Sequence, residues 1–313
     1  MLEVAPLDED MQTTNSLVEA PRGYSERFTL PKWLRARQLR HYGKLVFGTS
    51  LVLAVVLMAL FAPVLSRHDP NRVNLMARLT PPTWEAEGSA KYLLGTDQLG
   101  RDLLTRIMFG ARISLVVGVL SVLTSGALGS LLGLLAGYHG GRLDSVIMRL
   151  TDIQMALPFI LLALLVVALL GPSLTNIVIV FTITAWYVYT RVARASTLSI
   201  RENQYVEAAR ALGATDLRIL CRHVLPFLIS PLVVTASFEA ARIITTEAAL
   251  GFLGLGVPPP HASWGNMLSD GREYIQDAWW ISTFPGLALL VTVLGINLLG
   301  DALRDILDPR LKL

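Results

Sequence analysis

Charged side chains inside apolar runs are the first candidates for chemistry, because an ion at membrane depth persists only where protein or water faces it. Three such residues, Glu239, Arg242 and Glu247, fall in the apolar stretch 224–250. Glu239 and Arg242 are three residues apart, so on a helix they share a face and can pair. The three suggest a water-accessible pathway or gate; a structural ion pair between packed helices accounts for the same residues equally well. Asp152 and Gln154 precede Pro158 in another apolar run. Pro158 is expected to kink that helix or to end an opening half-turn. Asp152 reads either as a functional carboxylate or as one capped at the membrane surface. Asn297, in the last apolar run, is expected to bond to a neighbouring helix. Catalytic patterns are missing. The five histidines are scattered without an HExxH spacing, and there is no GxSxG elbow and no GxxxxGK[ST] phosphate loop. The single cysteine, Cys221, excludes an internal disulfide and a cysteine metal cluster, and reads as a small packing residue. No catalytic, cofactor-binding or metal-binding residue is therefore assigned.

A second group of candidates lies in Tyr205–Pro226, YVEAARALGATDLRILCRHVLP. Glu207 suits the positive end of a helix dipole. Val206, Ala208, Ala209 and Leu212 are its apolar members, and Gly213 stands where a helix stop is expected. A second short helical run, Asp216–Cys221, carries Arg218 and Arg222 on its polar side. The expectation is a helix–glycine–helix hairpin held on a membrane surface.

The elements that must position these groups are membrane spans. Of 313 residues, 53% are hydrophobic and 16% charged, and the mean hydropathy is +0.52, which points to a polytopic, all-α membrane protein. Residues 1–43 form a polar tail, acidic then basic. Its first half is expected to be disordered, and its second to place Trp33 and the arginines at the headgroup level. Six spans follow, at 45–65, 113–138, 146–170, 174–192, 224–250 and 282–299. With the tail in the cytoplasm, the inside segments hold 18 Lys and Arg residues against 8 outside, so both termini are cytoplasmic and the hairpin faces the same way. The second span carries a ladder of small residues, Ser121, Ser125, Gly129, Gly133 and Gly137. Four-residue spacing puts them on one face, where small side chains let helices approach closely. The seam is expected inside the bundle or against a partner subunit.

At Glu207-Ala208-Ala209, Gly213 and Leu225-Pro226 the chain resembles the EAA loop of bacterial ABC-importer permeases. His223 stands where the broad family pattern has an isoleucine. Further stretches resemble the dipeptide/oligopeptide/nickel branch: Leu94-Gly95-Thr96-Asp97 with Gly100-Arg101-Asp102, Gly110 to Leu115, Ala248 to Gly256 with Pro258-Pro259 and Trp264-Gly265, and Gly300-Asp301 with Asp308-Pro309-Arg310. The resemblance covers roughly residues 40–313 and is strongest to the second permease of dipeptide and oligopeptide importers. It implies the type I ABC importer permease fold, with a tail at 1–43, a permease domain at 44–313 and a coupling loop at 205–226.

The resemblance also implies function. The chain would be a pore-forming, non-enzymatic subunit in the bacterial inner membrane. Partners would be a second permease, two cytoplasmic ATPases that bind ATP and magnesium, an external solute-binding protein and membrane lipid, with no nucleic acid. Glu207, Ala208, Ala209 and Gly213 would shape the docking helix, and Arg210, Arg218 and Arg222 would be its charge contacts. Arg101, Asp102 and the 251–265 loop are expected at the binding protein or the outer gate. The cargo would be di- or oligopeptides, with nickel, glutathione or another small solute of the branch as alternatives. An ion channel or a membrane enzyme is the reading from another class.

Overall fold

The computed structural model describes residues 32–307, with side chains from residue 43. Expectations for the polar tail and for Asp308-Pro309-Arg310 lie outside the described residues. The chain divides into two compact units, 1–39 and 40–313. Among the described residues, only the opening turns of the first helix belong to the former.

The elements are helical throughout the described residues. α1 (Lys32–Leu60) and the short α2 (Ala62–Leu65) lead to a folded external loop. α3 (Leu103–His139), α4 (Gly141–Ala156), α5 (Phe159–Leu170) and α6 (Leu174–Arg201) follow. Then come α7 (Gln204–Ala211), α8 (Asp216–Ile219), α9 (Leu225–Phe252), α10 (Trp264–Arg272) and α11 (Trp280–Leu307). Five helical runs are long and apolar enough to cross a membrane: Gly43–Leu60, α3, α6, the continuous stretch Asp216–Phe252, and α11. The pair α4–α5, bent by 90° at its break, makes a sixth if its two helices form one broken span and not a re-entrant loop.

Several boundaries differ from the sequence reading, each for a local reason. The second span starts at Leu103, ten residues early, because Asp102 caps it: its carboxylate accepts from the Thr105 amide at 3.2 Å and from the Thr105 hydroxyl. Arg106 and Arg112 therefore sit in a helix and not in a loop. The third span does not merely kink at Pro158 but breaks there. Leu157 is pushed to extended backbone (φ −86°, ψ 124°) by the proline that follows it. The fourth and sixth spans run on past the expected ends, to Arg201 and Leu307. The second arm of the hairpin is not a separate helix. α8 passes through a π-helical turn, Leu220–Val224, directly into α9. The expected loop 251–281 contains α10, whose cap Ser263 accepts from the Asn266 amide.

Three apolar clusters hold the bundle. The outer one joins α1, α3, α9, α10 and α11 around Leu103, Trp264, Trp280 and Ile281. The central one joins α3, α5, α6 and α9 around Phe181, Ile177 and Ile243, with Phe159 stacked on Phe181 at 5.6 Å. The inner one joins α3 and α6 to the hairpin through Leu134, Tyr138, Ala193, Val206, Ile219, Leu220, Val224 and Leu228.

Candidate functional site

The hairpin is built from a buried base and a bare tip. α7 ends in a Schellman arrangement: the Ala214 amide donates to the Ala209 carbonyl and the Gly213 amide to the Arg210 carbonyl, both at 3.0 Å. Gly213 is the left-handed residue this requires, with φ +82°. Val206, Ile219, Leu220 and Val224 are buried in the inner cluster. The Tyr138 hydroxyl donates to Asp216 at 2.5 Å, and the Arg210 guanidinium lies 5.9 Å from the Tyr138 ring. Arg201 caps the end of α3 through the Gly137 and Tyr138 carbonyls. Arg194 clamps Asp144 with two hydrogen bonds, and Arg191 pairs with Asp152 at 2.6 Å. α3, α4, α6 and the hairpin are thus tied together at one end. Asp152 takes a surface ion pair there.

Of the residues read as docking contacts, Glu207, Ala208, Arg210, Gly213, Arg218, Arg222, Leu225 and Pro226 are exposed, while Ala209 is half-buried. Sequence reasoning missed the most exposed apolar pair of the hairpin. Leu212 is 89% and Leu217 71% exposed, at the tip on either side of Gly213. Their signal was available in their place alone: leucines flanking a helix-stop glycine. His223 is half-buried beneath the tip. Cys221 is exposed and is not a packing residue, because the π turn swings it to the surface while Leu220 and Val224 face inward.

The small-residue ladder lies inside this chain, against α6. Ser121, Ser125, Gly129, Gly133 and Gly137 are all buried. A methyl added at Gly129 would stand 2.8 Å from the Tyr189 Cβ and nearer still to the Trp186 carbonyl. At Gly133 the neighbours are Ala193, at 2.7 Å, and the Thr190 carbonyl; at Gly137, Thr197 at 2.7 Å and the Arg194 carbonyl at 2.9 Å. The Thr190 hydroxyl crosses the seam to the Gly129 carbonyl at 3.0 Å.

The three membrane-depth ions are not one group. Arg242 donates to Glu239 through Nε at 3.0 and 3.1 Å and through Nη2 at 2.5 Å. Glu247 faces the other way. It is buried against α3 and accepts from the Ser114 hydroxyl at 3.0 Å. Helical phase separates them, since five residues put Glu247 about 140° from Arg242. Asn297 lines a shallow groove between α9 and α11 beside Arg242.

At the outer end, Asp97 accepts from the Leu99 and Arg101 amides at 2.9 and 3.0 Å and from Arg101 Nε at 2.6 Å, with Arg106 at 3.4 Å. Arg101, Arg106, His261 and Asp270 line a cavity of about 320 Å³ under the 256–260 loop. Asp102 is buried as a cap and Trp264 as a core residue bonded to the Ile107 carbonyl at 3.1 Å. Neither presents a contact surface, and Arg101, held by Asp97 and facing Asp270, is itself only 12% exposed.

Comparison with known proteins places this architecture. Residues 129–313 match the family described as binding-protein-dependent transport system inner membrane component, and residues 33–82 match the N-terminal TM domain of oligopeptide transport permease C. The chain is 49% identical to the di/tripeptide transport system permease protein DppC of Pseudomonas aeruginosa, over 85% of this chain and 88% of that one. It is 46% identical to a putative peptide transport system permease protein of Brucella abortus, over 90% and 93%. It is 47% identical to the dipeptide transport system permease protein DppC of Escherichia coli, over 85% and 89%. Among solved structures, an inward-facing MetNI methionine ABC transporter chain aligns with a TM-score of 0.53 at 21% identity, over 66% of this chain and 96% of that one. That likeness carries the fold.

Proposed function

The chain belongs to the family of binding-protein-dependent transport system inner membrane components, and on that premise we propose that it moves di- and oligopeptides inward as one permease of an ATP-driven importer. It is a multi-span protein of the bacterial inner membrane with the type I importer permease fold. The names of its relatives support peptide as the cargo. It acts with a second permease, two cytoplasmic ATPases that hold ATP and magnesium, and an external binding protein that delivers the peptide.

The observation that carries the coupling role is the exposed apolar tip on a buried base. Leu212 and Leu217 contribute little to the fold of this chain, because they are bare in it. Covering them on an ATPase surface would contribute about 1.5–3 kcal/mol each as an upper bound. Glu207, Arg210, Arg218 and Arg222 are exposed along the hairpin and set the register of docking. The base passes displacement to α3 and α6 through Tyr138–Asp216 and Val206, and to α9 through the backbone itself. Closure of the ATPases on ATP draws the hairpins of the two permeases together, and the bundle switches between two packings as rigid bodies. Docking must differ in free energy between those states, or ATP could not shift them.

The test is reconstitution with the neighbouring-gene ATPases, second permease and binding protein. ATP-dependent dipeptide uptake that needs all of them is expected. A purified chain that recruits no ATPase, or conducts without one, would refute the reading.

A further inference from the structure

Arg242 is 39% exposed on the surface of this chain, and about 15 Å of helix separates it from the outer end of α9 at Phe252. A guanidinium at that depth cannot face hydrocarbon. Glu239, itself buried, occupies Nε and one edge of Nη2. Arginine has five N–H donors, so Nη1 and the outer N–H of Nη2 have no partner among the described residues. They open onto a groove of about 300 Å³ between α9 and α11, lined by Phe238, Thr245, Thr246, Val293 and Asn297. A second groove of about 390 Å³ continues toward the outer end through Thr245, Ala249 and Phe252. The surface is a track of small and apolar side chains with one cation set into it.

We propose that Arg242 takes the C-terminal carboxylate of the peptide in transit, with Glu239 holding the guanidinium in position. This rests on the importer reading above. A carboxylate fits the free fork of an arginine, two N–H groups meeting two oxygens. It is also the group that every peptide carries whatever its side chains. A carrier of many sequences can use a main-chain anchor and leave the rest of the groove unselective. Glu239 lowers the net charge of the site, so the carboxylate is held and then released.

The test uses the assembled complex with its binding protein in lipid vesicles. R242Q is expected to lower alanyl-alanine uptake about tenfold or more, R242K less, while binding-protein-stimulated ATP hydrolysis stays within about twofold of the unaltered complex. Unchanged uptake by R242Q overturns the inference, as does joint loss of uptake and stimulated hydrolysis. No ATP-driven peptide uptake by the unaltered complex overturns the importer reading instead. Occupancy is read separately with T245C in a C221S background, labelled from water by a charged thiol reagent. Alanyl-alanine protects the thiol and alanyl-alanine amide does not. Equal protection by both overturns carboxylate recognition. Absence of labelling from water overturns the aqueous groove and leaves Arg242 to a lipid phosphate or a protein neighbour.

Discussion

Two glycines on α3 separate close packing from mere smallness. Gly126 and Gly133 lie on the same helix, and Ala replaces each with one methyl. At Gly126 the nearest neighbour of that methyl is the Tyr189 ring edge, 3.4–3.7 Å away, an ordinary contact. At Gly133 it would stand 2.7 Å from the Ala193 Cβ and closer to the Thr190 carbonyl, with the Arg194 amide at 3.0 Å. Carbon pairs rest near 3.5–4.0 Å, so α6 must retreat by about 1 Å, which forfeits a quarter to a half of each dispersion contact along the seam. With about 20 such contacts in the adjoining turns at 0.1–0.2 kcal/mol each, the loss is about 1 kcal/mol. Strain and the stretched Thr190–Gly129 hydrogen bond add to it, giving about 1–3 kcal/mol for G133A before the helix-propensity gain that both alanines share. G126A is expected to cost under about 0.5 kcal/mol and to gain helix propensity. Unfolding of the isolated subunit in detergent, followed by Trp fluorescence, measures the difference. Equal stability of G126A and G133A would refute the internal seam; loss seen only when the second permease is present would place the ladder at a subunit interface.

The hairpin gives the remaining predictions. L212D and L217D are expected to abolish co-purification of the ATPases while leaving the melting of the permease alone unchanged; retained co-purification refutes the tip as the docking surface. G213P removes the amide bonded to the Arg210 carbonyl and forbids the +82° φ, so transport is lost although the protein stays in the membrane. G213N keeps the left-handed backbone and meets nothing within 4 Å, so most uptake remains; similar loss in both variants would count against the backbone argument. E207K is expected to abolish uptake with membrane insertion intact, and normal uptake would remove Glu207 from the contact. Y138F removes the bond to Asp216 and is expected to raise ATP hydrolysed per peptide carried, because the hairpin slips on its base; an unchanged ratio refutes that role.

What could be read in the sequence was whatever a backbone requirement or a period imposes. Gly213 was legible because a helix stop needs a residue that tolerates positive φ. The ladder was legible because 121, 125, 129, 133 and 137 keep one period, although its partner was not: α6 meets it with carbonyls and Cβ atoms, which leave no trace in a pattern of side-chain types. The early start of α3 was hidden by Arg106 and Arg112, whose charges read as loop, while the Asp102–Thr105 cap that opens the helix was overlooked. α10 is short and amphipathic, so a hydropathy window does not register it. The tip was misjudged for another reason. Leucine in a soluble-facing helix is expected inside, and Leu212 and Leu217 depart from that: both are bare in this chain, and only the proposed ATPase contact would cover them. Glu247 was grouped with Arg242 by depth, where phase would have separated them.

From Asp216 to Phe252 the backbone is helical without a loop, about 55 Å end to end. The second arm of the hairpin and the 251–256 loop therefore lie at the two ends of one helical rod. The α-helical hydrogen-bond ladder is interrupted at two places along it, the π turn at 220–224 and Pro231, which has no N–H to donate. A rod of this kind sets timing as well as position. On the proposed coupling, displacement at the tip travels to the 251–256 loop along this helix, with the π turn and Pro231 as its two points of bending. Fluorophores at Thr215 and Leu253 are accordingly expected to report one rate after ATP is added, and separate rates would locate the delay at the π turn or Pro231.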